Sequence, residues 1–595
     1  FIRYKLYEQP SPQLSALQQV LLNRGMPVEK QEAWLNAGWE SIYDWMELDD
    51  EDPATGEGKM ERAAKMVVNV VEAQQDVLVI VDPDVDGSSS AALFINYFSS
   101  RYPEYTKKHV SYILHKGKSH GLADIYEEIL ARKPALLVSP DGSTNDQEQQ
   151  KILNDAGIDI LILDHHEADA DYTNEHTLVI NVQLSNYPNK ALTGGGVVYK
   201  FVSAYEDLII HGNQPTEFLD LAAIADIGDM ADYREPEIRA LVNLGLGNIK
   251  NPLLFALAQK NKYTLDKHGG LCYIGSAFGI VPFINACHRS GTMAEKELVF
   301  DAMLTQHAFE KVESSKRGAK GTFVPLYTEA VTVLDRVKRR QADLEAGAMT
   351  VIQERIDECH LTDNAIVAVV VDPSECEAEI CGLAANKVQA KYQHPAMVLR
   401  RTKPMDSKEE IYSGSARNYS LCEIQDMKSL CASTDCMSLA AGHPSAWGAA
   451  IPASKFNEFI SRTNELYKNV DFTPTYMVDY IWNQETIDSS RILTVGKLNI
   501  WGQEIPESLV AIEKIPLSES NVTLMGLAKG HPTIKIQVGD VSVMKFNASE
   551  EMYAQFIQPN SYITIVGKPA INEWNGNVSP QILIEDYELT QEWRF

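Results

Sequence analysis

The chain has 595 residues, of which 45% are hydrophobic and 23% charged, a balance that suits several packed globular domains and excludes extended disorder. Its formal net charge of −29 excludes non-specific coating of duplex nucleic acid, because phosphate contacts need a cationic surface. No apolar run approaches a bilayer span, so no membrane partner is expected, and eight cysteines without a CxxC pair exclude a zinc ribbon or a disulfide framework.

The acidic total still allows one strand to thread a local basic channel, and bound divalent cations would cancel part of it. The opening FIRYKLYEQPSPQL lacks the basic start and apolar core of a secretory signal. With the cysteines read as reduced thiols, a cytoplasmic location is expected.

In chain order, LSALQQVLLNRGMPVEKQEAWL, within Gln13–Trp45, predicts two short helices around a turn at Gly25, and acidic Glu47–Gly58 reads as a loop. Residues 1–58 thus form an N-terminal helical segment. A helix over Lys59–Ala73 leads into DVLVIVDPDVDG, a buried parallel strand with carboxylates at its carboxyl end. YEEILARK before PALLVSPDGS, and QEQQKILNDAG before IDILILDHHEAD, repeat that grammar. Such alternation predicts a doubly wound α/β parallel sheet with its site at the strand ends, assigned to residues 59–260.

Helical pattern continues from Pro215 to Ile356, and its heptad-like end, Tyr327–Ile356, reads as a long connecting helix within a linker at 261–360. A second α/β unit starts at AIVAVVVDP and occupies 361–468. Short β-rich stretches such as TIKIQVGDVSVMKF and SYITIVGKPAI, over 469–595, predict a small closed barrel of the OB type.

VDPDVDG sets Asp82, Asp84 and Asp86 at alternate positions just after a strand. Carboxylates this close repel one another unless cations compensate, and hard, oxygen-preferring Mn²⁺ or Mg²⁺ suits them. An acidic turn gives the same pattern, whereas a calcium loop of the EF-hand type needs a distal Glu that is absent. Asp164, His165 and His166 follow a second strand. Adjacent histidines do not easily face one ion, so one ligates and the other meets a substrate phosphate. Asp141, in a Pro-Asp-Gly stretch that also suits a plain turn, and Asp229, with Asp226 and Asp232 as rivals, complete an oxygen-rich set for two divalent ions about 3.5–4 Å apart.

The ordered series VDPDVDG, PDGS, DHH, TGGGVVYKF, IADIGDMAD, VPFINACHR, GSARN and AAGHPSAWGAA resembles the DHH phosphoesterase superfamily, and within it the RecJ-like exonucleases specific for single strands. The resemblance runs over nearly the whole chain. It implies a DHH domain, a DHHA1-like second lobe, and two-metal hydrolysis of single-stranded DNA from 5′ to 3′ with release of nucleoside monophosphates. It makes Asp82, Asp84, Asp86, Asp141, His165 and Asp229 the metal ligands, with Asp84, Asp141 and His166 at the chemistry and Asp141 bridging the ions. Asn285 and Arg289 would line the strand path, and Ser415, Arg417, Gly442 and His443 the second lobe's substrate surface. Arg417 also suits a phosphate on its own chemistry, since a guanidinium grips two oxygens.

His120 and Lys118 are expected at a phosphate or base, and Trp501, Tyr562 and Trp574 as stacking platforms. The expected partners are a single-stranded nucleic acid, DNA favoured, and a single-strand-binding protein. Two departures stand out: Pro140-Asp141-Gly142 lacks the residue that many RecJ-like sequences insert, which predicts a shifted backbone at Asp141, and Pro83 replaces a common aromatic, as in smaller DHH phosphoesterases. Two rival readings are a DHH phosphodiesterase of short oligonucleotides or cyclic dinucleotides, and a non-catalytic RecJ-like scaffold.

Overall fold

Val77–Val81 and Leu136–Pro140 are buried along their whole length. Apolar runs without polar alternation do this only in a sheet covered on both faces. In the computed structural model, which describes residues 2–53, 55–117, 120–403 and 409–591, they lie side by side in a five-stranded parallel sheet. Its spatial order is Val110–Leu114, Val77–Val81, Leu136–Pro140, Asp159–Asp164, Thr177–Asn181. The strand order therefore reverses between Val77–Val81 and Leu136–Pro140, where doubly wound sheets open a crevice beyond their carboxyl ends. The helices Val85–Arg101, Gly194–Tyr205 and Leu219–Gly228 pack on one another, with Phe94, Phe98, Phe201 and Tyr205 in mutual ring contact. This sheet belongs to a unit made of residues 29–340 and 499–506.

The other unit comprises residues 1–28, 341–498 and 507–595. Its first sheet runs Leu439–His443, Ala446–Pro452, Ile411–Arg417, Ala396–Thr402, Val367–Val371, antiparallel except for the last pair. The helix Cys381–Tyr392 packs against it. Its second sheet has seven strands, from Tyr480–Asn483 at one edge to Val522–Met525 at the other, around the long hairpin Ser561–Trp574 and Asn577–Gln591.

That second sheet corrects the expectation of a closed barrel: among the described residues no ladder joins its two edge strands. Alternating apolar residues report that one face is buried, not that every strand has two partners, so closure is invisible in the pattern.

The long helix spans Leu326–Glu358, and helices Ala16–Asn23 and Val28–Leu35 flank Gly25, which takes a left-handed φ of 76°. Two features were not anticipated. Arg3–Leu6 is a strand paired in parallel with Thr475–Val478, and Lys311–Glu313 pairs with Phe323–Pro325 inside the helical stretch. Among the described residues no helix is long and apolar enough to cross a membrane.

Candidate metal centre

The strand Val77–Val81 delivers its chain directly into Asp82, and Asp84 caps the next helix by accepting the Gly87 N–H at 2.9 Å. Gly87 is required there, since a Cβ would lie 2.3 Å from Asp82 Cβ. Asp86, in the first turn, accepts the N–H groups of Gly194 and Gly195, each at 2.8 Å, and the Ser90 hydroxyl at 2.9 Å. The Gly194–Tyr205 helix thus turns its positive end onto the Asp86 carboxylate. A Cβ on Gly194 would sit 2.6 Å from Asp141 Cβ, and one on Gly195 2.4 Å from Ala225 Cβ, so the TGGG stretch lets three elements close on this carboxylate.

Asp141 follows Leu136–Pro140 with φ of 61°, a left-handed conformation that costs a non-glycine residue about 1–2 kcal/mol. Its N–H donates to Leu163 O at 2.8 Å, and its buried Oδ1 has no hydrogen-bond partner. His165 Nε2 lies 3.1 Å from Asp141 Oδ1, 3.5 Å from Asp86 Oδ2 and 3.7 Å from Asp229 Oδ2, and is itself buried without a hydrogen bond. The structure gathers Asp82, Asp84 and Asp141 into one group of potential ligands and Asp86, His165 and Asp229 into a second, with ligand atoms within 4.8 Å in each. Asp141, His165 and His166 form a third group that joins the two. All six expected ligands therefore converge on one rim.

Burial raises Asp141 well above the usual carboxylate range, and the charges of Asp86, Asp84, Asp82 and Asp229 add to it. Burial with Asp86 and Asp84 lifts Asp229 to about 8. Asp82 is lifted by burial to about 6, with His120 opposing. Carboxylates so crowded keep their charge only beside cations, and burial keeps His165 neutral, the form that ligates. An orphaned carboxylate oxygen, an orphaned imidazole nitrogen and an oxygen-rich donor set fit two hard divalent cations.

Asp164 acts one layer out. It accepts the His165 and His166 N–H groups at 2.7 and 3.1 Å, the Thr144 hydroxyl at 2.5 Å and His166 Nδ1 at 2.8 Å. Burial alone would raise it, but these bonds and the histidines hold it at about 2. The Asp164 hydrogen bond in turn raises the half-exposed His166 to about 9. His120 Nδ1 lies 2.5 Å from Asp82 Oδ2, a contact that raises the imidazole. Lys118 lies outside the described residues. Of the IADIGDMAD carboxylates only Asp229 joins the ligand groups. Asp226 is fully buried against the Thr193 hydroxyl at 2.8 Å, and Asp232 pairs with Arg234 at 2.7 Å.

On the helix Val281–Ser290, Asn285 Oδ1 is buried without a partner and Arg289 is exposed. His288, which sequence reasoning did not single out, is buried there and lowered to about 4 by that burial, with Asp84 the opposing charge. Its signal was only its place between Asn285 and Arg289. Also unanticipated were the Gly194–Gly195 cradle and the Thr144–Asp164 bond, visible in the sequence only as a glycine run and a lone threonine.

In the other unit, Ser415 and Arg417 occupy alternate positions of one strand and so share a face. Gly382, in the first turn of the helix Cys381–Tyr392, lies against both: a Cβ there would be 2.8 Å from Arg417 Nη2 and 3.5 Å from Ser415 Oγ. Gly442 adopts φ of 123°, and exposed His443 ends the strand Leu439–His443. Trp574 is 72% exposed, whereas Trp501 and Tyr562 are half-buried.

The DHH family, N-terminal domain, matches residues 76–225, and the RecJ OB domain matches residues 478–586. A protein of Bacillus subtilis (strain 168), provisionally named as an SPbeta prophage-derived single-strand DNA-specific exonuclease, YorK, is 31% identical over 596 residues, 99% of each chain. The single-stranded-DNA-specific exonuclease RecJ of the same organism is 25% identical over 91% of this chain and 65% of its own length. Among solved structures, RecJ from Thermus thermophilus in complex with Mn²⁺ superposes with a TM-score of 0.68 at 18% identity, covering 99% of this chain and 80% of that one.

Proposed function

This chain belongs to the RecJ-like branch of the DHH family, and on that premise we propose that it is a metal-dependent exonuclease that hydrolyses single-stranded DNA from 5′ to 3′ and releases nucleoside monophosphates. One observation carries the reading: two groups of three potential ligands, joined through Asp141 and His165, meet at the switch point of a parallel sheet. Two divalent cations, Mn²⁺ or Mg²⁺, held by Asp82, Asp84, Asp86, Asp141, His165 and Asp229, would lower the pKa of attacking water and offset charge on the phosphoryl oxygens.

The chain's own residues supply the rest. The Gly194 and Gly195 N–H groups hold the Asp86 carboxylate in place, and Asp164 holds His166 protonated at neutral pH, an N–H donor for a phosphoryl oxygen as charge grows there. His120 orients Asp82, while Asn285 and Arg289 offer an amide and a guanidinium to the strand. In the other unit, Arg417 and Ser415 present a fork and a hydroxyl suited to a phosphate. Two added sheets and a long helix support a polymeric strand over a cyclic dinucleotide, and the complete ligand set supports catalysis over a scaffold role. A single-strand-binding protein is a fitting partner for an enzyme of this substrate class.

The deciding assay uses 5′- and 3′-labelled single- and double-stranded DNA and RNA with Mn²⁺ or Mg²⁺, resolved at single nucleotides. Mononucleotides should appear first from the 5′ end of single-stranded DNA. Hydrolysis confined to dinucleotides, or activity that survives Asp84→Ala or His165→Ala, would overturn the reading.

A further inference from the structure

The short hairpin formed by Lys311–Glu313 and Phe323–Pro325 departs from the chain's overall charge. In a protein of net charge −29, the thirteen residues from Lys311 to Phe323 hold Lys311, Lys316, Arg317 and Lys320 against one acid, Glu313. That acid is spent on the hairpin itself, since Glu313 Oε1 accepts the Gly321 N–H at 2.8 Å. The four basic side chains are exposed and make no ion pair among the described residues. Two large apolar rings flank them: Phe309 is 64% and Phe323 63% exposed, and Phe309 meets Tyr327 edge-on at 5.6 Å.

The hairpin is anchored to its unit. Leu326 N–H closes its base on Glu310 O at 2.8 Å, and buried Glu329 of the long helix accepts the Ser315 N–H at 3.1 Å and the Ser315 hydroxyl. Arg336 donates to Ser315 Oγ at 2.9 Å and to Glu295 at 3.3 Å. Glu295 lies in the helix Met293–Met303, which packs on the helix that carries Asn285. Gly318 and Gly321, both at left-handed φ, shape the tip.

Unpaired cations beside exposed aromatic rings match a single-stranded nucleic acid, which offers phosphates to the first and base faces to the second. We propose that the Lys311–Pro325 hairpin is a second nucleic-acid contact, separate from the metal-ligand groups, that grips the substrate strand through Lys311, Lys316, Arg317 and Lys320 and stacks bases on Phe309 and Phe323. It rests on the exonuclease reading for its ligand. An acidic polypeptide would satisfy the lysines but leave the phenylalanines without a role.

The test compares the full-length wild type with a Lys316→Ala/Arg317→Ala/Lys320→Ala variant and with Phe323→Ala, on oligodeoxythymidylates of increasing length. Lys151→Ala, an exposed basic residue elsewhere, serves as the control. The triple variant should raise KM for long strands by about tenfold and flatten the log–log salt dependence of strand binding by about two units, near 0.7 per lost phosphate contact. Phe323→Ala should weaken binding without changing that slope. A wild type that hydrolyses no single strand sinks the exonuclease reading itself. An active wild type beside a triple variant with unchanged KM and slope sinks the hairpin proposal alone. Hairpin-dependent binding of a poly-glutamate peptide, with strand binding unmoved, would overturn it in favour of a protein partner.

Discussion

His165 and Asp141 approach within 3.1 Å, Nε2 to Oδ1, both atoms buried, and yet no hydrogen bond joins them. Polar atoms at that separation in a protein interior normally satisfy each other. A pair this close and still misaligned is arranged for a third body, and a cation is what a neutral imidazole and a carboxylate bind in common.

Chelation should therefore destabilise the protein. With EDTA the clustered aspartates must either repel one another or take up protons, as the raised Asp141, Asp229 and Asp82 do, and both cost stability, so the melting temperature falls and Mn²⁺ restores it. A cation at a hundred times its Kd adds about 2.7 kcal/mol per site. Asp141→Asn spares the metal-free fold the cost of burying or protonating that carboxylate, so its metal-free form should melt above the metal-free wild type while hydrolysis drops by more than about 100-fold, the upper loss seen for outer-shell partners. Thermal melts with and without chelator decide this; a wild type indifferent to EDTA refutes it.

Gly194→Ala should separate fold from site. Its Cβ would enter at 2.6 Å from Asp141 Cβ and 2.8 Å from Asp141 Oδ1. The ligand must give way, so Mn²⁺ affinity measured by calorimetry should fall by about tenfold or more, with far-UV circular dichroism unchanged. Wild-type affinity in this variant would contradict the cradle.

The Asp164–His166 pair predicts a pH signature in the metal-free protein. His166 is raised from an ordinary 6.5 to about 9, so its stabilisation is full below 6.5 and is lost as pH rises through about 9. Asp164, held at about 2, contributes stability that is full above its ordinary 3.8 and is lost as pH falls through about 2. NMR of the imidazole should find His166 protonated at pH 7.5 in the wild type and deprotonated in Asp164→Asn. An unchanged titration would disprove the coupling.

The sequence displayed most of this site because helix–strand alternation fixes where chains end: Asp82, Asp141 and His165 each follow an apolar run, and parallel strands bring such ends to one rim. It did not display what depends on neighbours remote in the chain. His120 reaches Asp82 from a polar loop without periodicity, and the Gly194–Gly195 cradle serves a carboxylate more than a hundred positions earlier. Nor did it display the left-handed φ of 61° that Asp141 takes beside the missing insertion. The open edge of the seven-stranded sheet stayed hidden because period-two patterns do not count partners.

In the other unit, Asp479 is a structural counterpart to these acids. Its fully buried carboxylate pairs with buried Arg24 and accepts the Asn23 amide at 2.7 Å and the Ser508 hydroxyl at 2.6 Å. Asp479→Ala strands a guanidinium in the interior, a loss of about 3–5 kcal/mol. Urea denaturation should show a fall in unfolding free energy of that size, and a fall under about 1 kcal/mol would refute the assignment.

The pairing of Arg3–Leu6 with Thr475–Val478 sets the timetable of biosynthesis. Arg3–Leu6 leaves the ribosome well before its partner, which follows some 470 residues later, a wait of about 25–95 s at 5–20 residues per second. Throughout that interval the Arg3–Leu6 segment lacks its partner strand, so shielding it from stray pairing falls to whatever attends the emerging polypeptide. Chains that stop before Thr475 would prolong that exposure indefinitely.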